Sequence, residues 1–249
     1  MSDYEQTSRA LTEALGLGLP PIAIALCDSV PAGVPAFSGV SPAGCKFWEN
    51  AATGAFATVV ADHELCAIGI HTHNMLGASK QAREELAAVL EVMAELDYVR
   101  EQDVAQIPVL ERQAKVIVYA PLAECPVEPD AVVLFARADQ SLVLSEAAQQ
   151  LDAESPPAMG RPACAMLPQA INSGRAAMSL GCCGARAYLD ALSEEVALWA
   201  LPGKRLPEYT ERVVALAQAN STLTAFHRQR RADVEAGQRP SFDESLTRT

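Results

Sequence analysis

The chain has 249 residues, half of them hydrophobic, which excludes a disordered or fibrous protein and suits one large domain or two small ones. Its 31 Asp and Glu outnumber its 19 Lys and Arg, for a formal charge of −12. A surface that acidic repels phosphate backbones and anionic lipid, so neither nucleic acid nor a membrane is expected as a partner.

The N-terminus, MSDYEQTSRALTEALGLGLP, has no basic segment ahead of an apolar one, so no signal peptide is expected. No apolar run approaches the ~18 residues of a membrane span. The expectation is a cytoplasmic protein, in which thiols stay reduced and structural disulfides are rare. Residues 4–16 read as a short amphipathic helix and 22–26 as a buried strand. Residues 28–44 are rich in Pro and Gly and read as loop. Residues 45–53 suit a helix stopped by Gly54, followed by a strand over 56–60. The clearest helix spans 79–98, with Ser79 as N-cap and Leu86, Val89, Leu90, Met93 and Leu96 largely on one face. Strands follow at 115–119 and 131–136, then a helix at 141–151 and a Pro-rich loop at 152–163. Residues 164–173 suit a helix if Pro168 sits in its first turn. Strands at 176–180 and 196–201 precede a long helix over 207–236, with Pro207 suited to its start.

Alternating strands and helices indicate an α/β or α+β protein. No Gly/Ser linker divides the chain, so residues 1–237 are expected to form one compact domain and 238–249 a disordered tail. A weak internal repeat suggests two pseudo-symmetric lobes, 20–110 and 111–205, with the 207–236 helix added. In the first half, P-A-G-Cys45 leads an alanine-containing helix, Gly54, a strand and Cys66. In the second, P-A-Cys164 leads a similar helix, Gly174, a strand and Cys182. A pseudo-twofold would bring Cys45, Cys66, Cys164 and Cys182 to one interface. Four thiolates match the ligand count of an iron–sulfur cluster or an all-cysteine zinc site. Cys27 and Cys125 have no partner in the repeat and read as packing residues.

His63, Cys66, His71 and His73 fall within one short segment, and imidazole and thiolate are the main ligands of zinc and iron. An H-x-H pair on an extended strand would put both rings on one side, and His63 and Cys66 at i, i+3 share a face if that turn is helical. These histidines are candidate metal ligands, or axial ligands to haem. The alternative is a polar turn whose histidines only cap and hydrogen-bond. His227, set among arginines in the long helix, reads as solvated.

The stretch SLGCCGAR at 179–186 sets two thiols between glycines. Gly69, Gly181 and Gly184 would allow close backbone approach to a bulky group, and Arg186 would stabilise nearby negative charge. Of the adjacent pair, Cys182 is expected to face the site and Cys183 to pack in the core. No nucleotide-binding glycine loop, no nucleophile elbow and no zinc-protease motif occurs.

These residues carry a resemblance. LPPIAIAL at 19–26, Cys45 ahead of a helix, Cys66-A-I-Gly69, the APL…PDAVVLF stretch, SLGCCGARAY, Glu195 and Leu201-Pro202-Gly203 together resemble the prokaryotic family called domain of unknown function 169, over residues 10–220 or so. Such sequences usually carry a lysine in the early strand, and PIAIAL has none. The resemblance implies a cytosolic prokaryotic protein and supplies no activity.

The expectation is a cytosolic metal-cofactor protein, with an iron–sulfur cluster on Cys45, Cys66, Cys164 and Cys182, in electron transfer or redox and sulfur chemistry. With four ligands the role is electron transfer; with three, an open iron could activate a substrate. The partner would be a small molecule or a redox protein. The alternatives are a metal-free protein with a cysteine-lined cleft for a small molecule, a zinc protein, and a haem protein using His71, His73 or a cysteine.

Overall fold

The structure, a computed structural model, describes residues 3–159, 162–239, 241 and 243. Helix α1 (Asp3–Leu15) precedes β1 (Ile22–Cys27), α2 (Lys46–Asn50), β2 (Phe56–Thr58), α3 (Ala67–Thr72), α4 (Lys80–Glu95), α5 (Glu101–Val104) and β3 (Val116–Pro121). Then come β4 (Ala131–Arg137), α6 (Ala138–Asp152), β5 (Ala158–Met159), α7 (Met166–Ser173), β6 (Ala177–Ser179), α8 (Cys183–Tyr188), β7 (Val196–Pro202) and α9 (Leu206–Glu235). The expected elements are present, with ends shifted by a few residues. Val60 leaves the expected strand for a 3-10 turn, and β5 interrupts the expected 152–163 loop. The disordered-tail expectation falls mostly on residues outside those described. No described helix is long and apolar enough to cross a membrane.

The strands form one sheet in the order β2-β3-β1-β4-β7-β6-β5, antiparallel throughout except for the parallel β5–β6 pair. Outward from the central β1–β4 pair, one side runs β1-β3-β2 and the other β4-β7-β6. With the edge strand β5 set aside, the last strand of each unit lies between its other two, so the halves share that strand order. The repeat inferred from the cysteines is therefore a repeat of fold. Its boundary is not at residue 110/111: β3 pairs with β1 and β2 and belongs to the first unit, which places the join between β3 and β4.

Period-2 alternation sorts the strand residues between two faces. Ile22 and Ile24 of β1, Val133 and Phe135 of β4, and Leu198 and Ala200 of β7 join the cluster beneath the short helices α2, α3, α7 and α8. Ala23, Val132, Leu134, Trp199 and Leu201 face the opposite layer of α1, α6 and α9. That layer is tied by Asp152, whose carboxylate accepts from Arg205 Nη1 at 2.7 Å and from the Tyr209 hydroxyl at 2.6 Å. The tight turn after β7 requires Gly203: a Cβ there would lie 1.7 Å from the Pro129 carbonyl oxygen. This back layer carries few groups of chemical interest, and His227 on α9 is exposed, as expected.

Candidate functional site

All four repeat cysteines sit where a short helix begins, on the same face of the sheet. Cys45 precedes α2 and Cys66 precedes α3 in the first unit. Cys164 lies in the 3-10 turn that leads into α7, and Cys182 is the N-cap of α8. The sheet's pseudo-symmetry turns these helix starts toward one another, and the four side chains line one cavity of about 270 Å³.

The backbone supplies what a sulfur at a helix start needs, because the first N–H groups of a helix have no partner inside it. The N–H groups of Gly44 and Gly69 favour the Cys66 thiolate, and that of Lys46, which donates to the Ala43 carbonyl, favours the Cys45 thiolate. Cys182 Sγ accepts from the Ala185 N–H at 3.4 Å, and Cys164 Sγ from the Thr72 hydroxyl at 3.3 Å. Gly69 is required by this packing: a Cβ there would stand 2.9 Å from Cys66 Sγ.

A clasp next to Cys45 joins the two units. Lys46 Nζ donates to Glu49 at 2.5 Å and to Asp190 at 2.8 Å. Glu49 in turn accepts from the N–H groups of Ala191, at 2.7 Å, and Asp190. The clasp holds α2 of one unit against the segment after α8 of the other, and so holds Cys45 near Cys182.

Burial makes these thiols poor acids. It pushes Cys45 up to about 12, with the negative charges that Cys66 and Cys182 would carry adding to the rise. It also raises Cys66, and it raises Cys164 well above the ordinary thiol value. Without a cation these thiols stay protonated at neutral pH, and a buried neutral thiol is an inert nucleophile. The group that would deprotonate them is a metal, since a coordinated thiol loses its proton outright.

Among the described residues, no three His, Cys, Asp or Glu side chains are grouped to hold a single metal ion. A tetrahedral zinc–thiolate site, with Zn–S of about 2.3 Å, needs its sulfurs ~3.8 Å apart. A multi-iron cluster spreads its thiolates over a larger body, and its sulfurs take N–H hydrogen bonds. The four cysteines line one cavity and are the residues that would hold a cluster there.

The histidines are placed differently from the expectation. Residues 67–72 are helical, so His71 and His73 do not share a strand face. His71 is exposed and lines a second cavity, of about 280 Å³, beside α4. His63 and His73 are buried beneath the thiol floor, with ring centroids 6.3 Å apart, and neither lines the thiol cavity. The Thr58 hydroxyl donates to the Ile117 carbonyl at 3.3 Å. It also meets His63 Nε2 at 2.9 Å. Nδ1 has no partner and lies against Gly44, as Cys66 Sγ does. Both ring nitrogens of His73 lack partners. Burial lowers His63 to about 3, with His73 adding to the effect, and burial lowers His73 to about 4, so both are neutral at pH 7.

Two further expectations are corrected. Arg186 does not face a thiol. Its guanidinium donates to the carbonyls of Leu180, Ser193 and Val196, which brackets the turn that presents Cys182. Cys183 is not in the core; it is exposed, at the rim of the same cavity. Gly181 takes a positive φ of 84° just before Cys182, and Gly184 lines the cavity. Cys27 and Cys125 lie outside the cavity, and Cys125 donates to the Val127 carbonyl. The sequence reading did not find Thr72, which bonds Cys164, or Lys46 and Glu49, because nothing in their spacing marks a contact across the two units.

The fold and the site together define a pseudo-symmetric α/β protein with a thiol-floored cavity between its halves. The chain belongs to the family of uncharacterised ArCR proteins, domain of unknown function 169, whose model matches residues 10–212. No curated protein and no solved structure matches it.

Proposed function

We propose that the chain is a cytosolic iron–sulfur protein that uses Cys45, Cys66, Cys164 and Cys182 as ligands, in electron transfer or in redox and sulfur chemistry. The observation that carries this reading is that four cysteines from two repeated units floor one cavity. When bound, a cluster supplies one-electron chemistry. The chain's own groups do the rest. The N–H groups of Lys46, Gly44, Gly69 and Ala185 and the Thr72 hydroxyl stabilise negative charge on sulfur. The Lys46–Glu49–Asp190 clasp keeps the two pairs of thiols in register.

The test is anaerobic reconstitution followed by iron and sulfide titration and visible absorption. Several irons and sulfides per chain with a broad band near ~400 nm are expected. C45A and C182A should lose most of both while keeping the far-ultraviolet circular dichroism of the parent. A colourless chain without iron, or full iron content in both variants, overturns the reading.

A second reading, a metal-free cleft for a small molecule, is favoured by the hydrocarbon that walls the same cavity. No observation favours haem, because His71 borders the other cavity and His73 is enclosed.

A further inference from the structure

Thiols floor the cavity, but most of its wall is hydrocarbon. Helix α4 contributes Val89, Leu90 and Met93, and Tyr98 and Tyr188 stand at the mouth, 39% and 44% exposed. A surface helix normally buries its apolar stripe in the core. Helix α4 buries only Ala82; Val89, Leu90 and Met93 line this cavity instead, Leu86 lines the second one and Leu96 is exposed. Apolar surface left against an open cavity gains free energy when an apolar molecule displaces the water there. The one formal charge among the described lining residues is Glu85, on the same helix, half-buried and accepting from Gln81 Nε2 at 2.9 Å. The volume, about 270 Å³, falls just under the ~300–1,000 Å³ of ordinary organic-ligand sites, so the occupant is compact.

We propose that this cavity binds a compact apolar amine, with its hydrocarbon between the α4 stripe and the thiol floor and its ammonium toward Glu85. The inference names a substrate class for the site and rests on the reading of the thiol cavity as the working site, though the binding itself needs no iron. A carboxylate at the wall, joined by thiolates once a cluster is present, makes the local field negative and disfavours an anion of the same shape.

Toluene, benzylamine and benzoate probe hydrocarbon, cation and anion at nearly constant size. Calorimetric titration of the whole chain, as purified and after reconstitution, should show benzylamine binding at least about tenfold tighter than benzoate. E85Q should bring benzylamine to the affinity of toluene. M93W, which fills the cavity, should abolish binding of all three; V89W serves if M93W does not fold. The proposal is overturned if benzoate binds as tightly as benzylamine, if benzylamine does not bind, or if the filled variants bind it as the parent does. A chain without iron whose benzylamine binding is lost on filling sinks the cluster and keeps this inference. A chain with iron that binds no benzylamine does the reverse.

Discussion

His63 and His73 show how a buried residue couples stability to pH. Both are neutral in the folded chain because burial penalises the imidazolium. An unfolded histidine titrates near 6.5. Below that pH the unfolded state takes up protons that the folded state refuses, so stability is lost as pH falls toward about 4 for His73 and about 3 for His63. Each histidine should cost roughly 1.4 kcal/mol per pH unit across its window. Urea melts of the metal-free protein between pH 7 and 4.5 should show this slope, and H73F should show about half of it. A slope unchanged in H73F would mean that His73 is protonated or solvated in the folded chain. Nothing at the residue scale of the sequence separates these two histidines from His71. All three read as ligands or caps, and only the way α3 packs enclosed two of them and left the third outside.

At the scale of elements, strands and helices were legible because hydrophobic periodicity and chain punctuation are local. Ser79 was readable as an N-cap, and its Oγ accepts the Ala82 N–H at 3.0 Å. The apolar face of α4 was also readable, but its destination was not. A stripe of Leu, Val and Met at helical spacing looks the same whether it meets a core or roofs a cavity, and only the neighbours decide. With Ala82 as its only buried residue, α4 has little tertiary packing to hold it closed. Its amides should exchange with deuterium far faster than those of β4, whose residues Ala131 to Ala136 are fully or nearly fully buried. A saturating cavity ligand should slow α4 selectively. Equal protection of α4 and β4 in the unliganded protein would show that the helix is fixed by contacts other than those described.

At the scale of the whole molecule, the two units meet along the central β1–β4 pair, through Thr72 on Cys164, through the Gln140 amide on the Leu15 and Gly16 carbonyls, through Asn172 on the Val109 carbonyl, and at the clasp of Lys46, Glu49 and Asp190. Glu49 is the hub, since its carboxylate takes one ammonium and two backbone N–H groups and its side chain is 15% exposed. E49A leaves Lys46 and two amides short of a partner and should cost about 2–3 kcal/mol in denaturant melts. It should also speed the reaction of Cys182 with a thiol reagent, because the seam beside it opens. Unchanged stability and thiol reactivity would show that the sheet and the other contacts between the units hold them without the clasp.

The α/β alternation, the order of elements and the four cysteines that line one cavity could be read from residue order alone. These follow from local periodicity and from a pattern repeated along the chain. That β3 pairs within the first unit, that Arg186 brackets a turn, that Cys183 is exposed beside the cavity and that α4 lines it came from the folded chain. Each of these depends on which distant segment lies opposite. Hydrophobic burial drives that pairing without recording it in residue spacing, because burial rewards apolar area whatever its place in the chain.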